Sequence, residues 1–370
     1  MKKILAAILA LMLALSLVAC GGEKQTEYTQ DTVDTQDTQD TQENIDGVVK
    51  YTLGMGMVTD TESSKEGTAQ VDSTIAAVVM DADGKIVLCR IDAIQNKMTV
   101  TDGAVDTEAT YLTKMEKGDD YNMKKFAEDC NIEWYDQVKA LEAYVVGMTA
   151  AEVEGIETRV RGEEEPHPGY VVAADEALFA QCSITITDFK EAIVKAMKDD
   201  QAKEFEAAGQ ITMGVAAKST GAESTAATAD AVGSVKMYSD IAAVVMDADG
   251  KVLAAISDAI QPKIGITTTG AIDEETTAFK ATKRELKEDY NMVKFAEDCN
   301  IEWYQQSANF TNYIAGMTKA EVEGIETRTR GEDEAHPGYV VAADADLFAQ
   351  CSIQITSMKE VIATAIDYAR

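Results

Sequence analysis

Histidine is almost missing from this chain: His167 and His336 are the only two in 370 residues. There is no Gly-x-Ser-x-Gly stretch and no Cys-x-x-Cys pair, so a Ser-His-Asp hydrolase and a thiol-disulfide oxidoreductase both lack their usual parts. Basic side chains are scarce as well, 33 Lys and Arg against 65 Asp and Glu, for a formal net charge of −32. A surface of that sign repels phosphate backbones and anionic headgroups, which excludes nucleic acid and charge-driven membrane binding. Aromatic residues make up only 6% and include two tryptophans. Long apolar runs are rare: the one from Ile4 to Ala19 falls short of the ~20 residues a membrane span needs.

What is present begins with that run. Lys2 and Lys3 precede it, in the charged-then-apolar order of a secretory signal covering residues 1–19. Loss of these two lysines takes the charge to −34. Leu17-Val18-Ala19-Cys20 resembles the lipobox of bacterial lipoproteins, and Gly21-Gly22 follows it. That resemblance implies that Cys20 becomes the first residue and carries two acyl chains, enough for stable anchoring. The expected location is the outer face of the bacterial cytoplasmic membrane, the membrane being a partner through the lipid alone. Residues 20–46 contain Asp-Thr-Gln triplets from Asp34 to Gln42 and little apolar surface, which predicts a disordered acidic linker.

The rest is a repeat. Phe126 to Tyr135, FAEDCNIEWY, returns letter for letter at Phe295 to Tyr304. IAAVVMDADGK recurs at Ile75 and Ile241, EVEGIETR at Glu152 and Glu321, HPGYVVAAD at His167 and His336, and LFAQCSI at Leu178 and Leu347. A repeat of this length is expected to be a domain, here 47–206 and 207–370, with two independent cores.

Within each copy the period changes from strand to helix. Val49, Tyr51, Leu53 and Met55 alternate as in a strand, answered by Ile211, Met213 and Val215. Thr74 to Met80 and Lys85 to Ile94 flank Asp81-Ala82-Asp83-Gly84, which predicts a β-hairpin; Lys85 at the next ligand position argues against a calcium loop. Trp134, Val138, Leu141 and Val145 mark one face of a helix. Thr149 with Glu152, and Thr318 with Glu321, read as capping boxes. Arg159 to Gly169 reads as a loop, and a last helix starts at a Thr187 cap with Phe189, Ile193, Val194 and Met197 inward. The expected fold class is α+β: two tandem copies of one domain, each an antiparallel sheet with helices packed against it.

Each candidate site has a plainer alternative. His167 and His336 lie beside Glu163–Glu165 and Glu332–Glu334, a donor set for zinc, but a His-Pro-Gly turn next to acids is more often a solvated loop. Cys130 with Cys182, and Cys299 with Cys351, suit disulfides in an exported protein, while cysteine is also a favoured small buried residue. Cys89 has no counterpart, Ala255 standing in its place. Tyr121, Trp134, Tyr135, Tyr144 and Tyr170 recur as Tyr290, Trp303, Tyr304, Tyr313 and Tyr339. They form either a stacking surface for a planar ligand or core clamps between helices and sheet. Glu133 and Glu302 beside them read either as an acid or base or, more plainly, as solvated carboxylates.

The order of elements is similar to that of the small FMN-binding domains of exported bacterial flavoproteins. In that family an Asp-Gly-Lys hairpin turn precedes helices, and a Ser-Gly-Ala-Thr motif leads into the last helix. Asp83-Gly84-Lys85 and Asp249-Gly250-Lys251 match the turn; Ala180-Gln181-Cys182-Ser183 and Ala349-Gln350-Cys351-Ser352 fall at the motif but depart from it. The resemblance implies FMN as cofactor, joined through its phosphate to the hydroxyls of Ser183 and Ser352, with Trp134, Tyr135, Trp303 and Tyr304 nearby. Gln181 and Gln350 stand where a small residue would let the phosphate approach. The expected function is an electron carrier, or else a non-enzymatic lipoprotein that binds a small molecule, a wall component or a partner protein.

Overall fold

A computed structural model of the chain describes residues 47–126, 131–279, 281–295 and 300–370. The signal segment, Cys20 and the acidic linker lie outside the described residues, as do Cys130 and Cys299 of the expected disulfides. In chain order the strands begin β1 (Val48–Asp60), β2 (Thr68–Met80), β3 (Ile86–Thr101) and β4 (Ala104–Val105). Helices follow: α1 (Lys114–Lys117), α2 (Met123–Phe126), α3 (Trp134–Tyr144) and α4 (Ala150–Glu154). Next come the hairpin β5 (Thr158–Val160) and β6 (Val171–Ala173), then α5 (Glu176–Phe179), α6 (Thr187–Met197) and β7 (Lys203–Ala208).

The second half runs β8 (Thr212–Thr220), β9 (Gly233–Lys236), β10 (Tyr238–Met246), β11 (Val252–Ile260), β12 (Lys263–Ile266) and β13 (Ile272–Ala278). Its helices are α7 (Lys283–Leu286), α8 (Met292–Phe295), α9 (Trp303–Tyr313) and α10 (Lys319–Glu323). The hairpin β14 (Thr327–Thr329) and β15 (Val340–Ala342), then α11 (Ala345–Gln350) and α12 (Thr356–Asp367), complete it. The fold is mixed α+β, with antiparallel sheets packed against helices.

Local chemistry explains the best-formed elements. The hairpin closes at Asp81, whose carboxylate accepts the N–H groups of Asp83 (3.0 Å) and Lys85 (2.9 Å), while Gly84 takes φ +71°, a conformation glycine adopts without a Cβ penalty. Asp247 and Gly250 repeat the arrangement. Both expected capping boxes are formed, at Thr149–Glu152 and Thr318–Glu321. The last helix differs from expectation: the cap position is Ile186, without a side-chain cap, and Thr187 is the first helical residue. Ile186 is fully buried and its N–H bonds Val171 O, so apolar anchoring against β6 sets the helix start. In the second half the strand continuous in β3 is split into β11 and β12 around Pro262, which stands where the first half has Asn96 and has no N–H for a ladder.

The halves do not have two independent cores. The main sheet runs β4-β3-β2-β1-β7, with β7 returning after the helices to pair with β1; a second sheet is β11-β10-β8 and a third β13-β12-β9. Ile75, Ala77 and Val79 of β2 meet Met213, Ile241, Ala243 and Ile256 in one shared apolar cluster. The alternate residues Ala76, Val78 and Met80 face Trp134, Leu141 and Ile193, and Ala242 and Val244 face Trp303, Phe310 and Ile362. Helices, sheet, sheet and helices therefore form four layers. Strands buried on both faces explain why IAAVVM reads as an unbroken apolar run. The outer helices sit very close: a Cβ on Gly54 of β1 would lie 2.0 Å from Ala196 O of α6, and one on Gly214 of β8 would lie 1.9 Å from Ala365 O of α12.

Candidate functional site

Ser183 and Ser352 each sit in the turn before the last helix, half-buried. Gln137, one turn into α3, reaches that turn with its side chain: its Oε1 accepts Ser183 N–H at 2.9 Å and the Ser183 hydroxyl at 3.3 Å. Gln306 does the same for Ser352 at 2.8 and 3.3 Å. The Ser183 carbonyl accepts from Arg161 Nη2 (2.7 Å), and Ser352 O from Arg330 Nη2 (2.8 Å). Each guanidinium also donates to the carbonyl before the histidine, Pro166 O or Ala335 O, at 2.7 Å. The serine turn is thus tied to α3 on one side and to the His-Pro-Gly hairpin on the other. Nothing local in the sequence marks Gln137 or Arg161 for this role; only their recurrence as Gln306 and Arg330 hints at it.

The aromatic residues divide between core and surface. Trp134 is 2% exposed and Trp303 3%. Trp134 packs against Tyr121 and Phe189 at centroid distances of 6.4 and 6.2 Å, and the Lys283 ammonium lies over the rings of Tyr238, Tyr290 and Trp303 at 4.7–5.1 Å. Tyr135 and Tyr304 are half-buried, their hydroxyls donating to Asp119 (2.9 Å) and Glu288 (2.8 Å). Ser183, Trp134 and Tyr135 are joined through α3, yet the indole lies on the core side. Glu133 is buried rather than solvated and accepts Met123 N–H at 2.9 Å.

The histidine loops are closed by local stacking and ion pairs. His167 and His336 adopt φ +54° and +53° and stack on Tyr170 and Tyr339 at 5.2 Å. Glu165 is engaged by both terminal nitrogens of Arg159 at 2.8 Å, and Glu334 likewise by Arg328. These charge-assisted bonds hold both carboxyls down at about 2. Among the described residues no group of three or more His, Cys, Asp or Glu has the geometry to hold a metal. Cys182, Cys351 and Cys89 are buried.

Two clefts open along the seams between the halves. The first, about 600 Å³, lies between α6 with the β1 edge and α7 with β11; Met55, Met57, Lys195, Asp258, Arg284 and Glu285 line it. The second, about 680 Å³, lies between α12 with β8 and the segment leading into α1; Tyr111, Glu116, Ala217, Lys359, Glu360 and Asp367 line it. Lys190 and Glu191 in one correspond to Lys359 and Glu360 in the other. Both clefts contain ion pairs, Lys218–Glu360 and Lys319–Asp367 in the second, but the pairs are placed differently. The first is crossed by Arg284–Asp199 (3.1 Å), Lys195–Glu285 (3.2 Å) and Lys287–Asp200. The matching positions across the second are Met115 with Tyr368, Glu116 with Thr364, and Gly118 with Ala369.

A buried aspartate stands at each seam. Asp258 accepts Ala259 N–H (2.7 Å) and Arg284 N–H (3.0 Å); Asp92 accepts Ala93 N–H (2.7 Å) and Met115 N–H (3.1 Å). Burial raises both carboxyls. Asp258, beside the Arg284 cation, reaches about 6, and Asp92, with Met115 in that place, about 7.

Comparison with known proteins adds little. No protein-family model matches the chain, and no solved structure does. A stretch of 118 residues is 30% identical to a chlorophenol reductase of Desulfitobacterium hafniense. The similarity takes in 27% of this chain and spans about 36% of the reductase's length. Among the described residues no helix is long and apolar enough to cross a membrane.

Chemically, the clefts offer paired charges of both signs, a setting for polar recognition. The serine turns offer one hydroxyl each, whose partner among the described residues is a neutral amide, Gln137 or Gln306.

Proposed function

We propose that this chain is a lipid-anchored, extracytoplasmic binding protein, two tandem copies of one module fused around a shared core, that takes a small polar ligand at the seams between the copies. The observation that carries this is the pair of clefts, of similar size and built from corresponding helices. Sites of this volume at the junction of two packed units are where small-molecule ligands are most often held. The lipobox-like Leu17-Val18-Ala19-Cys20 supports the anchor, and the polar linker supports a module held away from the bilayer. Native mass spectrometry of protein extracted from its own membranes tests the reading. A small molecule released on denaturation supports it; a protein that carries none, and binds none from a metabolite pool, contradicts it.

A second reading is a flavin carrier, with FMN on Ser183 and Ser352. The hairpin turn and pre-helix motif support it, as does the partial similarity to a protein named as a reductase. In-gel flavin fluorescence of the denatured native protein tests it: a signal lost in the Ser183→Ala, Ser352→Ala double variant supports the reading, and absence of signal removes it.

A further inference from the structure

The floor of the first cleft is a strand edge whose backbone is met by side chains instead of a strand. β7 pairs with β1 only as far as Leu53. Beyond that point the Met55 N–H donates to Asp199 Oδ2 at 3.1 Å, and the Met57 carbonyl accepts from Lys195 Nζ at 2.9 Å. A carboxylate and an ammonium thus stand where a neighbouring strand would place its C=O and N–H, a common way of covering an edge.

The two covers differ in how firmly they are held. Asp199 is fixed by the buried Arg284, the pair being 7% and 8% exposed. Among the described residues Lys195 is held by Met57 O and by Glu285, the latter a pair 41% and 40% exposed, and exposed pairs contribute little. Lys195 is therefore the movable cover. The second cleft has Thr364 at the matching position and Tyr368 in place of Asp199, so it has neither charged cover.

We propose that the first cleft binds a short zwitterionic peptide laid along the β1 edge, with its ammonium between Met57 O and Glu285 and its carboxylate on the released Lys195. This rests on the binding reading and names the ligand class for one of its two sites. Backbone pairing to an edge gives affinity without demanding particular side chains. The exchanged charges stay paired throughout, so no isolated charge is left in the cleft.

Calorimetric titration of the full-length, detergent-solubilised protein with trialanine, trialanine amide and N-acetyl-trialanine amide tests this. Trialanine is expected to bind and the doubly blocked peptide not to. Glu285→Gln, which keeps an acceptor for the α7 cap, is expected to weaken trialanine about tenfold, roughly the worth of one charge contact. Glu152→Gln, the same change at a capping glutamate outside the cleft, is expected to leave binding unchanged. Lys195→Met is expected to weaken trialanine but not its amide. Equal binding of free and blocked peptides, or no peptide binding at all, overturns the assignment. If another small molecule is still released from the native protein, the ligand class fails while the binding reading stands.

Discussion

Asp199, just past α6, and Arg284, in α7, meet at 3.1 Å across the first seam with both side chains almost wholly buried. The corresponding residues at the second seam are Tyr368 and Met115. At this pair of positions one junction is ionic and the other is not, while the second seam has its own ion pair elsewhere, Arg370 reaching the buried Glu142 at 2.6 Å. Arg284 also donates to Gln201 O at 3.1 Å, and Gln201 Nε2 donates back to Arg284 O at 2.8 Å, so the pair sits in a satisfied network. Breaking such a pair by removing one partner leaves a buried charge and costs about 3 to 5 kcal/mol. Arg284→Met should lose that much stability in urea unfolding, and the double variant Arg284→Met, Asp199→Tyr should recover most of it. A double variant no more stable than the single one would show that the seams are not interchangeable in chemistry.

The buried aspartates make stability depend on pH. A carboxyl raised in the folded state binds its proton more tightly there than in the unfolded chain. Its contribution is complete below the ordinary value of 3.8 and is lost as pH rises through about 6 for Asp258 and about 7 for Asp92. Glu165 and Glu334, held down at about 2, act in the opposite sense: their contribution is present above the ordinary value of 4.5 and lost as pH falls toward 2. Urea unfolding should therefore show a maximum in mildly acid solution. Asp92→Asn keeps an acceptor for Ala93 and Met115 and should flatten the fall between pH 5 and 8, whereas an unchanged slope would assign that fall to other groups.

Close approach of helix to strand sets a third test. Ala196 O and Ala365 O occupy the space a side chain at Gly54 or Gly214 would need, and both obstacles are backbone atoms that yield only if a helix shifts. Gly54→Ala and Gly214→Ala should each destabilise by about 1 to 3 kcal/mol or more, as overpacked sites do. Gly84→Ala, at an open hairpin turn with nothing within 4 Å, meets no such obstacle and should cost only the strain of its positive φ, about 1 kcal/mol. Equal losses at Gly54 and Gly84 would contradict the close contact.

Much of each half was legible because its signals are local. The Asp81–Gly84 turn, the α3 face of Trp134, Val138 and Leu141, and the two Thr–Glu boxes depend on neighbours within a few residues. The shared core was not: Ile75 and Ile241 enter one apolar cluster because both faces of β2 and β10 are buried, and an unbroken apolar run does not say which face meets what. The same limit hid β7 beside β1, Gln137 on the Ser183 turn, and Arg161 on its carbonyl, each a contact between residues far apart in sequence. Thr187 looked like a cap, but the fully buried Ile186 decides where α6 starts. The tryptophans read more readily as core clamps than as a stacking surface, and at 2% and 3% exposure they are core.

Anchoring has its own test. Cys20→Ala should move the protein from the membrane fraction to the medium or periplasm, with its thermal unfolding unchanged, because Cys20 lies well before the first strand. Retention in the membrane fraction would remove the lipid.

The most direct measurement is native mass spectrometry on the full chain purified from its own membranes, recorded before and after denaturation. The expected result is a chain that begins at a diacylated Cys20 and sheds a non-covalent small polar molecule on unfolding. A chain without acyl groups that sheds nothing, or one that keeps a flavin mass through denaturation, would contradict a lipid-anchored binding protein.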